Sequence, residues 1–204
     1  MKNKRLLSLL LALTIVLASR LTAAAFFQMA LTEFTLLVAV PAAYIKLSGG
    51  KLGEYGISFG ELKRGLKYAA AIFILALPLM AYGSQLSSFR GYYPIWKPAY
   101  QNPVNFIVYE LTVALMLFST EFFYRGFLLF TLNRETRLAN VIHALVYALV
   151  HVGKPLLEVP YSFMAGLVFG EADLKCKSIL PSFLMHFAGN LAFDLMIIYG
   201  TQAL

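Results

Sequence analysis

Ionisable and strongly polar side chains stand inside stretches of this sequence that are otherwise apolar. They are Glu110, Glu121 and Arg125 in one stretch, His143 and His151 in the next, and His186, Asn190 and Asp194 near the C-terminus. An ionisable group inside a bilayer is costly, so each is a functional hypothesis by default. All three histidines of the chain lie in this C-terminal half. We therefore expect the chemistry of the protein there.

Four of these residues share nearly one depth when each apolar stretch is interpreted as a helix. At a rise of ~1.5 Å per residue, Glu121 lies about 18 Å and His151 about 16 Å from the same end of their helices. On that scale, His186 and Asn190 lie about 12 Å and about 18 Å from the corresponding end of theirs. Buried polar residues with unrelated roles would rarely lie at such similar depths on three helices. The sequence therefore predicts that these four residues form one site.

Helical spacing within each stretch supports a common site, because residues four apart share a helix face. The pairs spaced in this way are Glu121 with Arg125, Tyr147 with His151, and His186 with Asn190. A glutamate can deprotonate a water, and imidazoles and an amide can donate hydrogen bonds to a developing oxyanion. The set is therefore sufficient to hydrolyse an amide without a covalent intermediate.

Other intramembrane chemistries lack the residues that they need. No Gly-x-Ser-x-Gly elbow is present, and no histidine begins the His-Glu-x-x-His signature of zinc proteases. The aspartates are Asp173, expected in a loop, and Asp194, so an aspartyl dyad is not favoured. The single cysteine, Cys176, excludes an internal disulfide framework and a Cys-x-x-Cys site.

The composition indicates that membrane helices position these residues. Hydrophobic residues make up 60% of the 204 residues and charged residues 13%, with a mean hydropathy of +0.72. A soluble domain is about half apolar and about a quarter charged, and a spanning helix needs roughly 20 apolar residues. We predict an all-α, polytopic membrane helix bundle that forms a single domain over residues 1–204. The seven expected spans cover residues 5–26, 28–46, 66–83, 104–131, 140–153, 156–170 and 178–199.

The basic residues predict how this bundle is oriented. With the N-terminus in the cytoplasm, twelve Lys and Arg residues fall in cytoplasmic segments and three in outer loops, as the positive-inside rule requires. The cytoplasmic set is Lys2, Lys4, Arg5, Lys46, Lys51, Lys63, Arg64, Lys67, Arg134, Arg137, Lys175 and Lys177, and the outer set is Arg90, Lys97 and Lys154. Seven spans then leave Leu204 outside. This distribution also argues against a nucleic-acid partner, despite the net charge of +7.

The first apolar stretch could be a cleaved signal peptide or a retained span. It begins with basic residues, and small residues follow at Ala23–Ala25. Arg20 interrupts the expected cleavage boundary, and another apolar stretch follows at once. We interpret it as a retained first span.

Three short segments resemble the motifs of the CPBP intramembrane proteases, the Abi family that includes the type II CAAX prenyl endopeptidase. They are T-E-F-F-Y-R-G at Thr120–Gly126, Y-A-L-V-H at Tyr147–His151 and H-F-A-G-N at His186–Asn190. The family pattern is Glu-Glu-x-x-x-Arg, then Phe-x-x-x-His, then His-x-x-x-Asn or Asp. The resemblance covers residues 104–199, which it marks as the catalytic core helices.

This resemblance implies a role for each motif residue. Glu121 would activate or orient the attacking water with His151 and His186 as its partners, and Asn190 would stabilise the oxyanion. Arg125 would anchor the helix that carries the glutamate.

The chain departs from the family pattern at two positions. Thr120 stands where the family has the first of its two glutamates, and Tyr147 replaces the usual Phe. The single-glutamate form resembles a bacterial branch that includes the myxosortase-like proteases, which process C-terminal sorting tails of exported proteins.

The resemblance therefore implies a bacterial inner-membrane endopeptidase acting on a membrane-anchored or tail-bearing protein within the lipid bilayer. No cofactor is required by this set of residues. The alternative is zinc, held by Glu121, His151 and His186, since two His and one Glu can bind that ion with an open position.

Two other functions remain open on the sequence alone. A catalytically inactive membrane scaffold or bacteriocin-immunity protein of the same family is favoured by the missing first glutamate. A small proton-coupled transporter could use Glu121 and the histidines as a relay, although the sequence contains no visible repeat of the kind such transporters often have.

Overall fold

A computed structural model describes residues 2–19, 25–133, 136 and 138–200 of the chain. Within these ranges the fold is entirely helical and has no β-strand, as the all-α prediction requires. Arg20, Ala23 and Ala24 of the signal-peptide interpretation and the topology residues Arg134, Arg137 and Leu204 lie outside the described residues.

Eight α-helices organise the described part of the chain, and short 3₁₀ turns lie at Leu52–Tyr55 and Lys97–Tyr100. The helices are α1 (Lys2–Ser19), α2 (Phe26–Leu47), α3 (Leu62–Gly83), α4 (Ser87–Tyr92), α5 (Pro103–Asn133), α6 (Ala139–Leu149), α7 (Glu158–Cys176) and α8 (Leu180–Gly200). Four of them, α2, α3, α5 and α8, are long and apolar enough to cross a membrane. Seven helices thus correspond to the seven predicted stretches, and the short α4 lies in the loop between the third and fourth.

Local sequence explains where several of these helices begin and end. The Asn102 side chain accepts a hydrogen bond from the backbone N–H of Asn105 at 2.8 Å, and Pro103 follows it at the first helical position. This combination is a typical helix start. At the other end of the bundle, Lys177 adopts the left-handed conformation that stops α7.

The seventh helix of the fold, α7, is longer than predicted. The sequence places a span at residues 156–170 and Asp173 in a loop, whereas α7 continues to Cys176 and contains Asp173 in its last turns. That prediction was wrong because the segment from Glu171 to Lys177 contains four charged residues, a composition typical of a solvent-exposed loop. Asp173 is fully buried, so the run has one face turned into the bundle.

Helix α5 changes its hydrogen-bonding pattern in the middle of the first motif. Residues Phe122–Leu129 form a π-helix, and all eight are buried. Such stretches are uncommon and are frequent at functional sites. Four of the eight residues are aromatic, namely Phe122, Phe123, Tyr124 and Phe127, and the segment also contains Arg125.

The loop between α2 and α3 covers one end of the bundle. Backbone hydrogen bonds run from Ile179 N to Gly56 O at 3.0 Å and from Glu61 N to Cys176 O at 2.9 Å. The Ser58 hydroxyl donates to the carbonyl of Lys177 at 2.7 Å. The sequence predicts this loop and the α7–α8 connection on the cytoplasmic side, and the contacts do place them at one common end.

Aromatic residues cover the opposite end of the bundle. Trp96 stacks on Phe26 of α2 with ring centroids 5.9 Å apart, and Tyr93 packs edge-on against Phe193 of α8 at 5.8 Å. These contacts tie the α3–α5 connection to the ends of two long helices. The aromatic residues of this connection are therefore packed against the bundle.

Gly126 is a close-approach position that a larger residue cannot share without movement. A Cβ added there would lie 2.7 Å from the backbone oxygen of Tyr55, which cannot rotate away. We expect Gly126→Ala to lower the free energy of unfolding by about 1–3 kcal/mol, the usual cost of overpacking. The apparent melting temperature of the detergent-solubilised protein should fall by several degrees.

The control for this prediction is Gly91→Ala, because an added Cβ at Gly91 has no atom within 4 Å. Melting of Gly126→Ala at the temperature of both the control and the wild type would contradict the close approach.

Candidate active site

A buried ion pair lies at the centre of the candidate site. One guanidinium nitrogen of Arg125 lies 2.7 Å from Oε2 of Glu121, and both side chains are 0% exposed. The i,i+4 spacing predicted this pair, although the intervening turn belongs to the π-helix. The contact is close in distance but poorly aligned as a hydrogen bond. It holds the carboxylate of the first motif in place by charge.

Two aromatic rings enclose the guanidinium of Arg125. Its central carbon lies 4.3 Å from the ring centre of Tyr147 on α6 and 5.0 Å from that of Phe169 on α7. Cation–π contacts of this kind are strengthened by desolvation. Tyr147, predicted to support the site, is thus placed beside the ion pair, and its ring joins the first motif to the second.

The other oxygen of Glu121 meets the third motif directly. Nδ1 of His186 on α8 lies 2.6 Å from Oε1 of Glu121. An ionised carboxylate can only accept a hydrogen bond, so Nδ1 carries the proton of this bond. The other ring nitrogen, Nε2, is not bonded to Glu121. The His186 side chain is 24% exposed, whereas Glu121 is completely buried. The imidazole therefore lies between the glutamate and the accessible space.

His151 lies just beyond the end of α6, with its ring against Tyr147. Its Nδ1 is 2.8 Å from the carbonyl oxygen of Tyr147, and the two ring centroids are 4.7 Å apart. A carbonyl also only accepts, so Nδ1 carries the proton and Nε2 keeps a free lone pair. The Tyr147 ring that His151 contacts is also the ring beneath the Arg125 guanidinium. The second motif therefore lies near the first and third, but its histidine is not bonded to Glu121.

Asn190 makes its hydrogen bond away from Glu121. Its Nδ2 donates to Oδ2 of Asp194 at 2.7 Å, and the same oxygen accepts from the Tyr109 hydroxyl at 3.3 Å. Asp194 is 0% exposed and Tyr109 is 1% exposed. Asn190 is thus on the same helix as His186, one turn further along.

Asp173 and Ser182 are site neighbours that the sequence interpretation missed. Oδ2 of Asp173 accepts from the Ser182 hydroxyl at 2.6 Å, and Oδ1 accepts from the Ser182 backbone N–H at 3.2 Å. Ser182 lies one turn before His186 and against Glu121. The spacing of Asp173 from Gly166, Phe169 and Gly170 is that of one helix face, and this pattern could have predicted its burial.

The remaining polar residues lie outside this group. Thr120 is half-buried and, as the neighbour of Glu121, points about 100° away around the helix. His143 is fully buried, and its Nδ1 lies 3.2 Å from the backbone oxygen of Asn140 and 3.2 Å from Oδ1 of the same residue, so it packs outside this group. Glu110 is buried, and neither carboxylate oxygen has a hydrogen-bond partner among the described residues.

The side chains do not form a metal site in this arrangement. Across the described ranges, no group of three or more His, Cys, Asp or Glu side chains could hold a metal ion. Both oxygens of Glu121 are already engaged, by Arg125 and by His186. A zinc ion held by Glu121, His151 and His186 does not fit these contacts.

One comparison with known proteins found a matching family model. A family model described as type II CAAX prenyl endopeptidase Rce1-like matches residues 102–192, which is somewhat less than half of the chain. The matched segment contains all three motifs, so the resemblance to CPBP proteases is confirmed. No curated protein and no solved structure matches the chain.

The buried ion pair predicts a specific pattern of stabilities. Arg125→Met leaves the buried Glu121 carboxylate without its positive counter-charge, with only the hydrogen bond from His186, and should cost about 3–5 kcal/mol of unfolding free energy. The double variant Glu121→Gln/Arg125→Met removes both charges and should recover most of that loss. Denaturation of the detergent-solubilised variants measures both values.

Arg64→Met is the matched control. Arg64 pairs with Glu61 at 3.2 Å, but both side chains are about half exposed. An exposed pair is worth about 0–1 kcal/mol. If Arg125→Met proves no more destabilising than Arg64→Met, the central pair does not hold the site together.

Proposed function

Because residues 102–192 of this chain match the model of the type II CAAX prenyl endopeptidase Rce1-like family, a protease family, we propose that the protein is an intramembrane endopeptidase. It would hydrolyse a peptide bond in a membrane-anchored or tail-bearing protein. The observation that carries the proposal is the 2.6 Å contact between Glu121 and His186. It joins residues 65 positions apart, from two of the three motifs.

The proposed mechanism begins with a water activated through an imidazole. Glu121 is completely buried with both oxygens engaged, whereas His186 is partly exposed with Nε2 free of that contact. His186 Nε2 therefore takes the proton of the water, and the Glu121 carboxylate stabilises the imidazolium that forms. The direct partner of Glu121 is thus His186, where the motif pattern alone would allow His151 equally.

The second histidine and the asparagine complete the proposed reaction. Nε2 of His151 accepts the other O–H of the water and orients its oxygen toward the carbonyl carbon of the substrate. As the new C–O bond forms, the carbonyl oxygen becomes an oxyanion that accepts a hydrogen bond from Asn190. The C–N bond then breaks, and the proton on His186 passes to the leaving amine. The products are a free carboxylic acid and a free amine.

The class of substrate follows from the family and the setting. Four long apolar helices and the match to a membrane protease family support a membrane protein. We propose that its substrate is anchored in the same bilayer, as the C-terminal tail of an exported protein in a bacterial inner membrane would be. The single glutamate of the first motif supports a myxosortase-like member.

One observation favours a second candidate, a catalytically inactive scaffold. Glu121 is the only glutamate of its motif, and it is fully engaged in a buried ion pair. A glutamate used in this way could simply tie helices together. The experiment below separates the two functions.

Loss of the proposed site should leave substrates uncut in the host. We expect strains carrying Glu121→Ala, His151→Ala or His186→Ala to accumulate a defined set of proteins that keep a hydrophobic tail. Mass spectrometry of the membrane and exported proteome measures this. Full processing after Glu121→Gln would rule out the proposed role of Glu121.

Glu171→Gln is the control for this comparison, because Glu171 is half exposed and pairs only with Lys175 among the contacts described for it. It should process the whole set normally. An unchanged proteome in all well-expressed site variants would instead favour the scaffold.

Moving the glutamate by one residue should not preserve activity. In the double variant Thr120→Glu/Glu121→Thr the carboxylate is turned by about 100° around α5, away from Arg125 and His186. We expect the variant to leave the same tails uncut as Glu121→Ala does, at a comparable expression level. Normal tail processing by this variant would show that the contact with His186 is not needed.

A further inference from the structure

Asp194 holds the amide of Asn190, and Tyr109 holds Asp194; both side chains are fully buried and have no role in the proposed reaction. The Asn190 amide donates from Nδ2 to Asp194 at 2.7 Å, and the Tyr109 hydroxyl donates to the same carboxylate oxygen at 3.3 Å. Asp194 follows Asn190 by one helical turn on α8, while Tyr109 belongs to α5. The carboxylate is therefore fixed from two helices.

The orientation of a side-chain amide decides whether it can stabilise an oxyanion. Its nitrogen end carries two N–H donors, whereas its oxygen end only accepts and would repel a developing negative charge. The two ends are alike in size and differ by a rotation of half a turn. An asparagine that serves an oxyanion therefore needs a neighbour that selects one of these orientations.

A carboxylate makes this selection because it accepts hydrogen bonds and donates none when ionised. Beside Asp194, the amide gains a hydrogen bond with Nδ2 toward the carboxylate and meets repulsion with Oδ1 there. One N–H of Nδ2 is then used, and the second remains for another acceptor.

We propose that Asp194 is a positioning residue that fixes the Asn190 amide with its donor end available to the oxyanion. This inference rests on the proposed protease function. Asp194 does not touch the substrate, and it acts only through Asn190. Tyr109 holds Asp194 in turn, and its own ring is stacked on Phe26 with centroids 5.4 Å apart. Since Asp194 is completely buried, no solvent rearrangement can take over the role of the phenol.

The test is a double-mutant cycle on the purified protein in phosphatidylethanolamine–phosphatidylglycerol vesicles. The probe is a synthetic peptide spanning the tail of the most abundant protein left uncut in the Glu121→Ala strain. The variants are Asn190→Ala, Asp194→Asn and the two combined. Asparagine at position 194 keeps the shape of the side chain but both donates and accepts, so it no longer selects an orientation.

We expect Asn190→Ala to lower kcat by about 100-fold or more, the usual cost of an oxyanion donor. Asp194→Asn should lower kcat by about tenfold or more with KM unchanged, because only the transition state uses the amide. In the combined variant, Asp194→Asn should cost nothing beyond the loss from Asn190→Ala, because residues acting through one another are not additive. Unchanged kcat in Asp194→Asn, or losses that multiply, would overturn the inference.

Tyr109→Phe keeps the test decisive if Asp194→Asn folds poorly. It removes one anchor and leaves the carboxylate, so a smaller loss of kcat is expected, again absent when Asn190 is already Ala. A loss that persists in the Asn190→Ala background would reveal a merely structural role and overturn the inference.

The failure of this inference differs from the failure of the proposed function. If His186→Ala and Asn190→Ala abolish or strongly lower cleavage while Asp194→Asn does not, the function stands and the positioning role is wrong. If the Glu121→Ala strain leaves no tail uncut, the proposed function fails, and the positioning role fails with it.

Discussion

The Glu121–Arg125 ion pair is the interaction around which the C-terminal half is arranged. Two charges in an apolar interior are tolerated only when they are paired and enclosed. The π-helical turn of α5, the rings of Tyr147 and Phe169, and the imidazole of His186 supply that enclosure. Each comes from a different helix, so satisfying one pair of charges assembles α5, α6, α7 and α8 around a common point. The proposed chemistry depends on this constraint, since it fixes which oxygen of Glu121 faces His186.

Two buried aspartates, Asp173 and Asp194, also fix the position of α8 through polar contacts. Asp173 of α7 binds the first turn of that helix through Ser182, whereas Asp194 belongs to α8 itself and binds both Asn190 and Tyr109 of α5. Their partners on α8 lie one turn before and one turn after His186. The helix that carries the third motif is therefore held against its neighbours on both sides of the histidine. A polar group inside an apolar bundle has few alternative partners, so such bonds define rotation and height more sharply than apolar packing does.

The sequence predicted the parts of this arrangement that depend on order along one helix. Hydropathy predicts the long helices, and the spacing of four predicts the pairing of Glu121 with Arg125. The choice of His186 over His151 as the direct partner depends on how the helices rotate about their axes, which depth along a helix does not determine. Asp173 was misplaced for a related reason. Its burial depends on Ser182 of another helix, and the charged residues around it in sequence resemble a loop.

The π-helix in α5 also affects how the chain can be compared with others. Each residue from Phe122 to Leu129 bonds five positions along instead of four, so the helix is underwound there. A single helical wheel cannot describe both ends of α5, because the phase of its faces changes across this segment. A relative whose corresponding helix is regularly α-helical would present the same faces only with a one-residue offset after this segment. An alignment across the first motif should therefore permit a gap inside the helix.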